Sequence, residues 1–67
     1  MSKLANFESI VAKLEGGHVP APYPNLHAAA EAIADQINVT TWRTTEERNG
    51  AQYLIIRLER LMQSRAP

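Results

Sequence analysis

The chain lacks cysteine, so neither disulfides nor thiolate metal sites can reinforce it. It is short of aromatics, with one Trp, one Phe and two Tyr in 67 residues. An interior of this size is marginal by itself, because area burial at roughly 25 cal/mol/Å² nearly cancels chain entropy. It also lacks an excess of either charge: seven Lys+Arg stand against seven Asp+Glu. That balance argues against general electrostatic binding to nucleic acid, although a local basic patch stays open. No run approaches the roughly eighteen apolar residues of a membrane helix, so no membrane partner is expected. The opening Met1 to Glu8 places an acid and amides where a signal peptide would be apolar. A cytoplasmic setting is therefore expected, and the glycosylation-like triplet Asn38-Val39-Thr40 carries no weight. What is present, 45% hydrophobic and 21% charged residues, suits a folding chain and a single small domain over residues 1–67.

Two helices follow from periodicity. Leu4, Phe7, Ile10, Val11 and Leu14 recur at three and four residues and predict an amphipathic helix over residues 3–15. Gly16-Gly17 stops it, since glycine takes the left-handed conformation that ends helices. Pro20, Pro22 and Pro24 then fix φ and remove donors, which makes His18 to Pro24 a stiff connector, with Tyr23 expected to pack on the core. Asn25 is a suitable cap for a second helix, from about Leu26 to Ile37. Its stripe is Leu26, Ala29, Ala30, Ile33 and Ile37, with Asn38 as a left-handed terminator.

Residues 39–58 support two readings. Val39 to Thr45 is dense in β-branched residues around Trp42, Asn49-Gly50 is a strong hairpin signal, and Gln52 to Leu58 favours a strand. These signs predict an α+β fold: two N-terminal helices, the proline-rich connector and a C-terminal β-hairpin. Its pairing would set Thr45 near Leu54, Arg43 near Ile56 and Thr41 near Leu58. The competing reading is all-α, a helix-turn-helix-like bundle of four short helices. It draws on Ala51, Leu54, Ile55, Leu58, Leu61 and Met62 at helical spacing, with Asn49 and Gln52 as a capping pair. The hairpin is preferred because a helix would carry Asn-Gly in its interior, at about 1 kcal/mol for the glycine. The tail from Glu59 is expected to continue as a short helix.

Catalytic equipment is sparse, and no enzyme, metal site or cofactor is expected. His18 and His27 have no further ligands at metal spacing, and Ser2, Ser9 and Ser64 sit in no nucleophile context. Gly16-Gly17 lacks the remainder of a phosphate loop.

The hairpin would leave Trp42, Tyr53, Ile55 and Arg57 on the face away from the helices. Aromatics with an interleaved Arg are the composition of interface hot spots. The expected function is thus a small non-enzymatic regulator or inhibitor of the sort that compact phage or plasmid genomes encode. It would bind another protein, and itself as a homodimer, through that face, with Trp42 as anchor. A second reading starts from Ala32 to Thr41, which resembles the first helix and turn of a helix-turn-helix DNA-binding unit. The resemblance implies that the next segment reads DNA, with Thr40, Thr41, Arg43, Thr45 and Arg48 as contacts. Positions near Thr44 and Glu47 would face inward in that family, and both are polar here.

Overall fold

The computed structural model describes residues 2–64, which form three helices: α1 (Lys3–Glu15), α2 (Leu26–Val39) and α3 (Thr45–Ser64). Ser2 starts α1, its hydroxyl oxygen accepting from the Ala5 N–H at 3.1 Å. At the other end Gly17 takes φ 89°. Its N–H donates to the Leu14 carbonyl at 3.0 Å and the His18 N–H to the Lys13 carbonyl at 2.9 Å. These two bonds make a Schellman ending, which satisfies carbonyls the helix itself leaves unpaired. The connector follows as expected, with Ala21-Pro22 in the cis form and Tyr23 half-buried against the core. Asn25 caps α2 through its Oδ1, which accepts from the Ala28 N–H at 2.8 Å.

The β-hairpin does not form. Among the described residues there is no strand, and the pairings of Thr45 with Leu54, Arg43 with Ile56 and Thr41 with Leu58 do not exist. The fold is all-α, with three helices where the alternative expected four. The physical reason begins at Thr44-Thr45-Glu46-Glu47, a Thr-x-x-Glu helix start. Thr44 Oγ1 accepts from the Glu47 N–H at 3.1 Å, and its hydroxyl faces the Glu47 carboxylate at 3.5 Å. The cap is thus Thr44 with Glu47 and not Asn49 with Gln52. Glu46 and Glu47 add negative charge where the helix dipole favours it.

Once started there, the helix runs through Asn49-Gly50, because Ala51 next to it and Leu54 and Leu58 one and two turns later are buried. Tertiary burial outweighs the glycine cost and the strand propensity of the two isoleucines. Gly50 has a packing reason as well. A Cβ at this position would lie 2.9 Å from Leu4 Cδ2, so α1 leans on α3 where the side chain is missing. Two of the threonines that suggested a strand, Thr40 and Thr44, serve as caps instead. Thr40 closes α2 with its hydroxyl donating to the Gln36 carbonyl at 2.7 Å, so Asn38 is not the terminator and takes no left-handed φ. The tail from Glu59 continues α3 through Ser64 and is not a separate helix.

One core joins the helices. Val11 and Leu14 come from α1, Ala29, Ala30, Ile33, Ala34 and Ile37 from α2, and Ala51, Leu54 and Leu58 from α3. No polar or charged side chain is buried among the described residues. The alanines let α2 lie close to its neighbours, and α3, 20 residues, is about 30 Å long at 1.5 Å per residue. No described helix is long and apolar enough to cross a membrane.

Candidate functional site

Residues 40–44 carry the chain from α2 to α3 and hold most of the residues singled out in the sequence. The extended backbone of Thr40 (φ −78°, ψ 136°) turns the chain out of α2. Trp42 is then folded back beneath the turn, its ring meeting Phe7 of α1 edge-on with centroids 6.1 Å apart. The indole is thus half-buried against the protomer's own core, and it does not stand on an outward sheet face.

The four residues expected to share one face are separated. Ile55 is half-buried beside Ala51, on the α2 side of α3. Tyr53 and Arg57 lie toward α1, with the guanidinium 5.9 Å from the phenol ring centroid. Arg57 is occupied by Glu15: its Nε donates to Oε2 at 2.9 Å and its second arm grips Oε1. Arg57 hydrogen bonds hold the Glu15 carboxyl below its usual range, partial burial opposes them, and the guanidinium charge adds to the lowering. The same hydrogen bonds raise the pKa of Arg57. The pair is a strut between α1 and α3.

A different grouping results. Ile37, Val39, Trp42, Ala51 and Ile55 line a groove of about 410 Å³ between the end of α2 and the first half of α3. Asn38, Thr40, Thr41, Arg48 and Gln52 form its polar margin. Trp42 and Ile55 from the protein-binding set therefore meet Thr40, Thr41 and Arg48 from the DNA-binding set in one depression. Arg43 borders a second hollow of about 330 Å³ on the other side of Trp42, with Ser2, Lys3 and Glu47. Thr45 is exposed in the first turn of α3.

Val39, which the sequence reading places in a β-branched strand run, is the last residue of α2. It is 82% exposed, the most open of the large hydrophobic side chains described. Helical geometry gives the signal: two residues beyond buried Ile37, it points about 200° around the helix. The other missed signal is the Thr44-Glu47 cap.

Among the described residues no three His, Cys, Asp or Glu side chains gather as metal ligands. His27 faces Glu31 at 3.5 Å, one turn along the exposed side of α2. The groove offers hydrogen-bonding side chains beside a projecting valine.

The chain matches no protein-family model, no curated protein and no solved structure.

Proposed function

We propose that the chain is a small non-enzymatic protein-binding module, a regulator or inhibitor acting in the cytoplasm, which receives its partner at the α2–α3 groove. The observation that carries this reading is Val39, 82% exposed in a depression that Trp42 and Ile55 also line. Covering a valine fully contributes about 1.5–3 kcal/mol. A partner segment seated over Val39 would gain part of that while it met Arg48 and Gln52 at the margin.

The DNA-binding alternative uses the same corner. Glu46 and Glu47 open the helix that would read the bases, and their carboxylates oppose phosphate. That charge is why protein binding is preferred.

Capture from lysate with the wild-type chain and with Val39→Glu, both helical by circular dichroism, tests the reading. The expected result is a partner retained by the wild type and lost with Val39→Glu. Identical recovery with the two baits would overturn it. So would a salt-dependent shift of a labelled duplex that disappears in Arg43→Ala, which would establish the DNA reading instead.

A further inference from the structure

Asn49-Gly50 sits in α3 as an exposed side-chain amide followed by a residue without a Cβ. Such a pair carries its own reaction. The Gly50 backbone nitrogen can attack Asn49 Cγ, and no side chain on the glycine hinders the approach. Ring closure requires Cγ to swing into the peptide plane beside that nitrogen. A helical ψ of about −42° keeps it out of that plane. The helix also returns the Gly50 N–H to the Glu46 carbonyl. Intact α3 therefore blocks the attack, and its first two turns must open to permit it. Those turns are lightly held. Thr45, Glu46, Arg48 and Asn49 are exposed, and the first buried side chain of α3 is Ala51. The Thr44 cap that starts the helix is exposed as well, its Oγ1 accepting from the Glu47 N–H at 3.1 Å. Few buried contacts and solvent-exposed hydrogen bonds mark a segment that opens locally.

We propose that Asn49 is a self-modification site, a succinimide-forming pair with Gly50 that reacts only through opening of the first two turns of α3. The bond from the Gly50 nitrogen to Cγ forms and the bond from Cγ to the side-chain nitrogen breaks. Ammonia leaves, taking the Gly50 amide proton. Water then adds to one of the two ring carbonyls. Cleavage at Cγ gives aspartate with the backbone path unchanged. Cleavage at the former backbone carbonyl gives isoaspartate, whose peptide link runs through the side chain. Isoaspartate inserts a carbon into the backbone between Arg48 and Gly50, so the helical hydrogen bonds that span it lose register. Arg48 and Gln52, both on the groove margin, lie on either side of that insertion. Gly50 is displaced from its place against Leu4. The product is thus a lasting record that α3 has opened, and it disturbs the groove. The reaction needs no partner, so this proposal stands or falls separately from the protein-binding reading.

Prolonged incubation at mildly alkaline pH, followed by peptide mapping with mass detection, tests it. Aspartate and isoaspartate at position 49 are resolved by chromatography. Asn6, Asn25 and Asn38 precede Phe7, Leu26 and Val39 and serve as internal controls. The folded chain is expected to convert at Asn49 slowly, and the chain in guanidinium chloride many times faster. Thr44→Ala, checked as helical by circular dichroism, should convert about fivefold faster than the wild type, the factor that loss of the cap corresponds to. Thr44→Ser should convert at the wild-type rate. In the wild type, the ratio of folded to denatured conversion should follow the open fraction that hydrogen exchange reports at the Gly50 amide. A folded rate well above that fraction means that the intact helix reacts, and overturns the proposal. A Thr44→Ala chain no faster than the wild type, or a denatured chain without product at position 49, does the same.

Discussion

The ring of Phe7 meets the ring of Trp42 edge to face, at 64° and 6.1 Å between centroids, and so ties the α2–α3 turn to the first helix. Edge-to-face pairs contribute about 0.5–1.5 kcal/mol beyond their buried area. Trp42→Ala is expected to destabilise the fold by about 2–3 kcal/mol, less than the roughly 3–5 kcal/mol of a fully enclosed ring. A double-mutant cycle with Phe7→Ala in urea should return a coupling near 1 kcal/mol. Additive losses would show that the two rings are neighbours without being partners.

Gly50 opposes two effects of similar size. Alanine at a helical position gains about 1 kcal/mol over glycine, but the new methyl would meet Leu4 Cδ2 at 2.9 Å. The leucine tip can swing aside at some loss of packing. Gly50→Ala alone is therefore expected to change stability by less than about 0.5 kcal/mol. In a Leu4→Ala background the same change should stabilise by about 1 kcal/mol. Urea midpoints of the four chains check the non-additivity.

Removal of the Thr44 hydroxyl should loosen the start of α3. Thr44→Ala is expected to cost about 1 kcal/mol, and Thr44→Ser almost nothing, since serine keeps the oxygen that accepts from Glu47. Equal stability of the alanine and serine variants in thermal melts would remove the cap from the account of why this segment is helical.

The Glu15–Arg57 strut gives stability a pH dependence of known sign. Folding lowers the Glu15 pKa, so the pair's contribution is complete above the carboxyl's unfolded value and fades as pH falls through the folded one. Arg57 remains protonated across that window. With the Glu15 side chain 37% exposed, solvent screening keeps the contribution below about 1 kcal/mol. Denaturation midpoints of wild type and Glu15→Gln should differ at neutral pH and converge under acid. A constant gap would show that the carboxylate charge plays no part.

The first half of the fold was open to reading from the chain. The stripe from Leu4 to Leu14, the Gly17 ending and the Asn25 cap are local, and local chemistry decided them. Residues 39–58 were not, because two local signals disagreed there and a distant one settled the matter. Asn49-Gly50 says turn, Thr44 to Glu47 says helix start, and the glycine is in demand because Leu4, far away in sequence, rests against it. Thr40 and Thr44 carried the same ambiguity: hydroxyls that serve as caps count as strand formers by propensity alone. The candidate site shared that fate. A strand period puts Trp42, Ile55, Tyr53 and Arg57 on one face, whereas the helix turns Ile55 toward the α2–α3 groove that Trp42 also lines and Arg57 toward α1. Val39 was visible only to anyone who carried the α2 wheel past Ile37.

The interior of this molecule holds hydrocarbon alone among its described residues. Such an interior rewards any arrangement that fills space, and it cannot penalise a helix that slides or rotates by stranding a charge or an amide. Fidelity is then delegated to the periphery: the glycine notch over Leu4, the capped turns, and one clamp between residues 42 positions apart. Equal-volume exchanges inside should be forgiven. Careless edits at the rim would leave a compact chain unsure of its own alignment.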